Sequence, residues 1–222
     1  MAQAAVPVHA PVGQTKLTRA LTIFAWTILV LLAAGFIWKY VFHYYLNYNA
    51  QGFGPYWTRR GALLLHITGG MTALLTAPWQ FFSGLRGKSP GIHRRTGIVF
   101  LLGVIAGSAG ALYLAFTTTF GWAFGFGLVA LAAAWLSTSG MAYYAIRQRQ
   151  FEIHKEWMIR AYIVTFGFVT FRVFNDYGPT SRLKPANDLA ITLAWACWVV
   201  PLFAAEIILQ LRRMRTSLPK RI

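Results

Sequence analysis

The fold of this chain is decided by an uncharged stretch, residues 98–117, which reads IVFLLGVIAGSAGALYLAFT. A helix needs about 20 mainly apolar residues to cross the hydrocarbon core of a bilayer, so this stretch predicts a transmembrane helix. Five further stretches meet the same requirement: residues 20–38, 61–82, 122–146, 157–174 and 189–211. The sequence therefore predicts an all-α, polytopic integral membrane protein with about six transmembrane helices, of which the middle four form a core four-helix bundle.

The basic residues predict how these helices are oriented. The chain is 57% hydrophobic and carries 21 Lys and Arg against 5 Asp and Glu. Fifteen of the cations fall before the first stretch, after the last, or at alternate gaps between them: Lys16, Arg19, Arg86, Lys88, Arg94, Arg95, Arg147, Arg149, Lys155, Arg160, Arg212, Arg213, Arg215, Lys220 and Arg221. Because cytoplasmic loops retain Lys and Arg, we expect a bacterial inner (plasma) membrane protein with both termini cytoplasmic. The charge is a topology signal and does not indicate a nucleic-acid partner.

The chain divides into one membrane domain and two tails. Residues 1–16 are rich in Ala, Val and Pro and are predicted to be a disordered cytoplasmic tail. Residues 17–212 form the predicted six-helix transmembrane domain, and residues 213–222 form a basic cytoplasmic tail. The first apolar stretch is too long for a cleavable signal peptide, so we expect it to remain as an anchor. Cys197 is the one cysteine and is expected to be a packing residue.

The outer segment between the first two helices, residues 39–60, is aromatic. It contains Tyr40, Phe42, Tyr44, Tyr45, Tyr48, Phe53, Tyr56 and Trp57. Amphipathic rings prefer the headgroup zone, so an interfacial belt is one interpretation. The other is a lid over an outward-facing site.

Small residues predict close helix packing in the third and fourth helices. Gly103, Gly107 and Ala111 recur every four residues, and Gly121 and Gly125 do likewise. Such stripes let helix backbones approach closely in lipid. They indicate tight packing within the bundle or contact with other membrane subunits.

Two histidines are the leading candidates for cofactor ligands. Residues 86–94 and 147–155 share a pattern of basic, any, basic, three residues, Ile, His and basic, which contains His93 and His154. This echo indicates two helical hairpins related by an axis along the membrane normal, which would hold both rings at one depth. Imidazoles from two helices at one depth can ligate a haem iron on both faces. The alternative is that each His caps its helix or hydrogen-bonds lipid headgroups.

Residues around these histidines fit the same interpretation. Four cations nearby can neutralise the propionates of a haem: Arg94, Arg95, Lys155 and Arg160. Met158 follows His154 by four residues, so it shares that helix face and can pack on or ligate a macrocycle. We therefore predict haem b as the cofactor, with His93 and His154 as its iron ligands.

His66 is a third candidate, a few turns into the outer half of the second predicted helix. An ionisable residue inside a span is costly and marks a functional site by default. Gly69, Gly70 and Ala73 follow on a neighbouring face and leave room for a planar group or another helix. We predict a cofactor-binding role, as a ligand or in a proton- or quinone-linked step. The alternative is a neutral His bonded to a carbonyl of a neighbouring helix.

Two charged pairs are predicted to be structural. Arg160 and Glu206 should share a depth near the cytoplasmic side, where a buried ion pair makes both tolerable. Arg172 and Asp176 are spaced i,i+4 at the outer end of the fifth helix. The sequence contains no Gly-rich phosphate loop, no paired-Cys motif and no metalloprotease His-Glu spacing.

The combined polar motifs resemble a known family. They are His66…Gly70, Pro78-Trp79-Gln80-Phe81, His93-Arg94-x-x-Gly97, Trp135 and His154-x-x-Trp157-Met158-x-Arg160…Arg172. Over about residues 60–175 the chain resembles an uncharacterised bacterial family of predicted membrane proteins, domain of unknown function 2306. The resemblance implies a membrane fold and these site residues, and it implies no reaction. At the level of fold alone, the chain is similar to b-type cytochrome bundles, although those have two His pairs and His66 has no partner here.

The function expected from these features is that of a redox membrane protein. It would bind a b-type haem or a quinone between the middle helices for electron transfer, and whether it is an enzyme is left open. The alternative is a non-enzymatic small-molecule or ion transporter, or a membrane assembly factor, with a structural His/Arg cavity.

Overall fold

The computed structural model describes residues 16–86, 90–178 and 186–217. Within these ranges every regular element is helical, and six segments are long and apolar enough to cross a membrane: Arg19–Leu46, Ala50–Ser83, Pro90–Phe116, Trp122–Arg147, Phe151–Tyr177 and Asp188–Arg215. The prediction of an all-α protein with six transmembrane helices is confirmed. The predicted N-terminal tail lies outside the described residues except for Lys16, and the last five residues of the basic tail also lie outside them.

The helices differ from the predicted spans mainly at their ends. They are α1 (Lys16–Phe36), α2 (Phe42–Leu46), α3 (Ala50–Phe53), α4 (Arg60–Arg86), α5 (Pro90–Phe116), α6 (Trp122–Arg147), α7 (Phe151–Thr165), α8 (Gly167–Tyr177) and α9 (Ala186–Ser217). A π-helical turn, Ile37–Val41, joins α1 to α2, and a 3-10 turn, Gly54–Arg59, leads into α4. The outer segment, expected to be a loop, is therefore mostly helical. One cause is Asn49, whose side chain caps α3 by accepting a hydrogen bond from Gly52 N at 2.7 Å.

The fifth span is divided into two helices at Phe166. The hydroxyls of Thr165 and Thr170 donate back to the carbonyls of Ala161 and Phe166, and such back-bonding bends a helix. Gly167 follows the break, and a Cβ placed there would contact Trp198 Cβ at 3.4 Å. The break therefore falls where α8 comes close to α9.

Glycines bring α4 and α5 into backbone contact. A Cβ added at Gly69 would lie 2.4 Å from Gly107 N and 2.5 Å from Gly103 O, and one at Gly110 would lie 2.5 Å from Ala62 O. The predicted Gly103–Gly107 stripe therefore packs against α4 of the same chain. Gly125 likewise approaches Ala115 O across the α5–α6 hairpin, at 2.8 Å from its added Cβ. These stripes are used inside the bundle, because only glycine permits so close an approach.

The middle four spans form the centre of the bundle. In the most apolar window of each span, the buried share is 28–44% for the middle four, against 11% for the first and 22% for the last. The first span contacts the centre through Trp26, whose ring lies 5.2 Å from Phe81 and 5.6 Å from Tyr162 between centroids. The outward face of α1 is apolar, as a lipid-facing helix requires, with Leu17, Phe24 and Leu31 exposed.

The bundle has two chemically different ends. We call the end where α5 and α7 begin and α6 ends the basic end, because the cations of the sequence cluster there. The opposite end, where α4 begins and residues 39–60 lie, is the aromatic end. Each end contains a cavity, and the candidate site residues divide between the two.

Candidate functional site

The cavity at the basic end lies between α4, α5, α6 and α7. Its volume is about 360 Å³, within the range of small-molecule sites. Its lining includes the two predicted iron ligands, His93 and His154, together with Met158. The further lining residues are Gln80, Arg94, Gly97, Ile98, Phe100, Leu101, Ser139, Ala142, Tyr143, Ile146 and Arg147. The structure thus brings His93 and His154 together in one cavity.

The two histidines occupy equivalent places in their helices. His93 is the fourth residue of α5 and His154 is the fourth residue of α7, and both helices begin at the basic end. Both residues line the cavity at the basic end. The short sequence echo therefore corresponds to two rings at similar depth.

His93 is held by the hydroxyl of Ser83 on α4. Its Nδ1 lies 2.9 Å from Ser83 Oγ, which also lies 2.8 Å from Trp79 O and can donate to that carbonyl. When the hydroxyl donates to Trp79 O, it accepts from His93 Nδ1–H, and the neutral ring keeps a lone pair on Nε2. Among the described residues, no group hydrogen-bonds to that Nε2.

His154 is held in the same way by a backbone carbonyl of α6. Its Nδ1 lies 2.8 Å from Ala142 O, which can only accept a hydrogen bond. Nδ1 therefore carries the proton, and Nε2 is again left with a lone pair and no partner in the described parts of the chain. Metal-ligating histidines usually have this arrangement, in which the ring nitrogen that does not bind the metal is hydrogen-bonded to a carbonyl, hydroxyl or carboxylate.

Two polar residues that shape this cavity were not predicted to bind a cofactor, although Gln80 belongs to a motif that carries the family resemblance. Gln80 is 6% exposed, and its Nε2 donates to His93 O at 2.9 Å and to Thr96 Oγ1, which fixes the first turn of α5 on α4. Ser139 is 1% exposed, and its hydroxyl has no hydrogen-bond partner in the part of the chain that the structure describes. Polar residues inside apolar spans were the available signal, because such residues are costly in lipid.

The cations that line the cavity differ from those predicted. Arg94 and Arg147 line it, whereas Arg95, Lys155 and Arg160 are not among its lining residues. Lys155 Nζ lies 2.7 Å from Glu152 Oε1. Arg147 was passed over because it was counted only as a topology signal.

Arg160 belongs to an ion-pair network beside the cavity. Its Nη2 lies 2.5 Å from Glu206 Oε2, and its Nη1 lies 3.7 Å from Glu156 Oε2. Glu156 also pairs with Arg213 of α9, and the Arg160 guanidinium lies 4.8 Å from the centre of the Trp157 ring. The network ties α7 to α9, so Arg160 has a structural partner where a haem propionate was expected.

The cavity at the aromatic end has a volume of about 420 Å³ and contains His66. His66 Nδ1 lies 2.9 Å from Gly107 O, and its ring meets Phe168 edge-on at 5.7 Å between centroids. The structure therefore places His66 away from His93 and His154, as the sequence predicted. The alternative interpretation, a His hydrogen-bonded to a carbonyl of a neighbouring helix, fits its Nδ1. Its Nε2 has no hydrogen-bond partner among the described residues.

Trp135 separates the two cavities. It lines the cavity at the aromatic end, while Ser139, one turn later on α6, lines the cavity at the basic end. Its Nε1 donates to Thr165 Oγ1 at 2.8 Å, and a Cβ added at Gly107 would lie 2.9 Å from its ring. The indole therefore extends from α6 to both α5 and α7 in the middle of the bundle, far from the interface where Trp is usual.

The predicted pair between Arg172 and Asp176 is wrong. Asp176 Oδ2 lies 3.2 Å from Lys39 Nζ and accepts a hydrogen bond from Tyr40. The guanidinium of Arg172 instead lies over the Tyr40 ring, 5.0 Å from its centre. The physical reason is that the π-helical turn brings Lys39 and Tyr40 to the end of α8, where they compete successfully for the carboxylate.

The outer segment covers part of the cavity at the aromatic end. Tyr40, Tyr44 and Tyr56 line that cavity, and Phe53 is 1% exposed in a cluster with Leu63 and Leu114. The segment is thus packed onto α4 and α5, which is more than an interfacial belt requires. In the described residues there is no group of three or more His, Cys, Asp or Glu side chains able to hold a bare metal ion.

Comparison with known proteins identifies the family. The model of the family described as "Predicted membrane protein (DUF2306)" matches residues 63–209, more than half of the chain. The chain belongs to this family. The match extends from early α4 to late α9 and includes the whole lining of the cavity at the basic end and His66 and Arg172 at the aromatic end, so the resemblance drawn from the polar motifs is confirmed. No curated protein and no solved structure matches the chain.

Proposed function

We propose that this DUF2306 protein is a redox protein that binds one b-type haem in the cavity at the basic end. The observation that carries the proposal is the pair His93 and His154. They come from two helices, line one cavity, and have Nδ1 bonded to protein and Nε2 without a partner in the described residues. Two fixed imidazoles with available Nε2 atoms are what axial ligation of haem requires.

The rest of the lining supports the same ligand. Phe100, Leu101 and Ile146 supply apolar walls for a macrocycle, and Arg94 and Arg147 supply positive charge for its two propionates. Ser139 lines this cavity, and its hydroxyl, which has no partner in the described residues, could hydrogen-bond to a bound group. A bound haem would supply one-electron transfer, while the protein would hold its ligands and exclude water.

We further propose that the basic end faces the cytoplasm in the bacterial inner membrane. The support is the concentration of Lys and Arg at this end and the even number of spans. A reporter fused after Ile222 should be active in the cytoplasm. Activity on the periplasmic side would contradict this orientation.

The haem is tested with the purified full chain from haem-replete cells. Oxidised and dithionite-reduced visible spectra should show a Soret band that shifts on reduction, with haem and protein near one to one. His93→Ala and His154→Ala should each abolish or greatly weaken haem binding, because one axial bond is lost. Met158→Leu removes the other side chain of this cavity that could ligate the iron while keeping an apolar wall, so an unchanged spectrum in this variant would assign both axial positions to His93 and His154.

The same experiment separates the rival function. A transporter or assembly factor with a structural His/Arg cavity would be purified without a Soret band. In that case both His variants would lower thermal stability, because a buried carbonyl or hydroxyl would lose its partner. Protein without haem from haem-replete cells would end the redox proposal.

A further inference from the structure

The cavity at the aromatic end carries polar groups that the haem proposal does not use. Its walls are mainly apolar and include aromatic side chains, with Trp135, Phe168 and Phe171 among them. Two polar side chains of this lining, His66 and Arg172, have groups available for hydrogen bonds to a ligand. A cavity of about 420 Å³ with apolar walls and a few convergent polar groups has the character of a small-molecule site.

His66 is a hydrogen-bond acceptor toward this cavity. Its Nδ1 is bonded to Gly107 O at 2.9 Å, and a carbonyl can only accept, so Nδ1 carries the proton. No carboxylate lines the described wall of the cavity, so a cationic ring would have no counter-ion there. The neutral ring leaves a lone pair on Nε2, and a ligand that satisfies it must donate a hydrogen.

Arg172 is a donor whose guanidinium has no carboxylate partner in the described residues. Asp176, its expected partner, is held by Lys39 and Tyr40. The other arginine of this cavity, Arg59, is already committed, because it donates to Thr117 O and to Pro55 O at 3.1 Å. Arg172 thus contacts the Tyr40 ring but has no hydrogen-bond acceptor in the described residues, and its N–H groups remain available to a ligand oxygen with lone pairs.

We propose that this cavity binds a hydroquinone, a planar aromatic ring with two hydroxyl groups. One hydroxyl donates to His66 Nε2, the other oxygen accepts from Arg172, and the ring lies among the aromatic walls. An oxidised quinone has only acceptor oxygens and leaves His66 unsatisfied, and a fatty carboxylate has no hydrogen to donate. The cavity therefore prefers the reduced ring, and this inference does not depend on haem at the basic end.

The test uses purified full chain in lipid nanodiscs under anaerobic conditions. The probes are a decyl-substituted benzoquinol, the corresponding quinone, and the quinol with both hydroxyls methylated, each titrated by calorimetry. The quinol should bind about tenfold more tightly than the quinone, the effect of one satisfied hydrogen bond in a dry site. The methylated ring should bind no better than the quinone, because it has no hydrogen for His66.

Variants assign the preference to its residues. His66→Leu should reduce the quinol-to-quinone affinity ratio to about one. Arg172→Gln should weaken both forms several-fold and leave the ratio unchanged, since both have an oxygen that can accept. Arg60→Gln is the matched control, because Arg60 lies at the same end but outside the cavity lining and donates to Trp57 O.

Three results would overturn the proposal. They are equal affinity of the normal chain for quinol and quinone, a ratio that survives His66→Leu, and displacement of the quinol by equimolar decanoate. If His66→Leu does not fold, the comparison of quinol with its methylated form on the normal chain decides the matter, and equal binding counts against the proposal. A preparation without a Soret band leaves this test intact, so failure of the haem proposal is distinguished from failure here.

Discussion

Both cavities contain histidines whose Nδ1 is hydrogen-bonded within the protein, but they contain different numbers of them. In each, a histidine Nδ1 is bonded to protein, to a carbonyl for His66 and His154 and to a hydroxyl for His93. The cavity at the basic end has two such rings, from α5 and α7. The cavity at the aromatic end has one ring and Arg172, which has no hydrogen-bond partner in the described residues.

The difference determines what each cavity can bind. Two imidazoles that line one cavity suit a metal with two open axial positions, as the iron of haem has. One imidazole and a cationic donor in the same cavity suit an organic ligand that both donates and accepts hydrogen bonds. The predictions below vary one cavity while the other serves as the internal control, in order of expected effect.

The largest effect is expected where α4 and α5 touch. Gly69→Ala places a Cβ 2.4 Å from Gly107 N, and backbone on both sides leaves nothing flexible to give way. We expect the free energy of unfolding to fall by more than about 3 kcal/mol, with both cavities lost. Gly70→Ala is the matched control, since nothing lies within 4 Å of its added Cβ. It should change stability by less than about 1 kcal/mol, keep the haem spectrum and weaken only quinol binding.

The next largest effect is expected for Ser83, the hydrogen-bond partner of the proposed iron ligand His93. Ser83→Ala removes the acceptor of His93 Nδ1–H while leaving the imidazole in place. Loss of such an outer partner typically reduces metal affinity by about 10–100-fold, so haem should be retained weakly and lost on dilution. Ser108→Ala on α5 removes a buried hydroxyl that has no hydrogen-bond partner among the described residues, and it should leave haem affinity unchanged. Equal effects of the two variants on haem affinity would show that Ser83 does not act through His93.

A smaller effect separates the cations that line the cavity from those beside it. Arg147→Gln should weaken haem binding several-fold, because one charge facing a propionate is lost. Arg160→Gln should lower stability by about 1–2 kcal/mol through loss of the pair with the partly exposed Glu206, with haem affinity unchanged. Haem titration and thermal unfolding of both variants check this. A loss of haem affinity in Arg160→Gln and not in Arg147→Gln would show that Arg160 neutralises a haem propionate.

The smallest effect is expected for Asp176→Asn at the aromatic end. Its pair with Lys39 is half-exposed, so stability should change by at most about 1 kcal/mol. Quinol affinity should stay within a factor of about two, because the carboxylate is not the partner of Arg172. A large gain in quinol affinity would mean that Asp176 holds Arg172 back in the protein.

The fold could be predicted from the sequence because bilayer thickness fixes helix length. Apolar stretches of the required length and the clustering of cations are both local properties of the chain. The outer segment was not predicted, since its helices depend on a cap at Asn49 and on packing of Phe53 against Leu63 and Leu114. Such tertiary contacts have no periodicity that a sequence reveals.

The candidate site could be predicted in part. His93, His154 and His66 stood out because polar residues are rare in spans, and the echo brought the first two together. Comparison of depths along the spans suggested the pair between Arg160 and Glu206, but spacing could not show that Asp176 would pair with Lys39, a residue far away in sequence. Spacing along one helix gives neighbours on that helix only, and partners from other helices depend on how the bundle packs.

The central claim is that His93 and His154 bind the same iron. It is tested most directly by the coordination state of the ferric haem, measured by electron paramagnetic resonance on the purified chain. We predict a low-spin, six-coordinate signal of two imidazoles, with the two Nε2 atoms about 4 Å apart across the iron. His154→Ala with haem added back should convert the residual signal to high-spin, five-coordinate iron, while His66→Ala should leave it low-spin. A low-spin signal that persists in His154→Ala, or one that disappears in His66→Ala, would contradict the account.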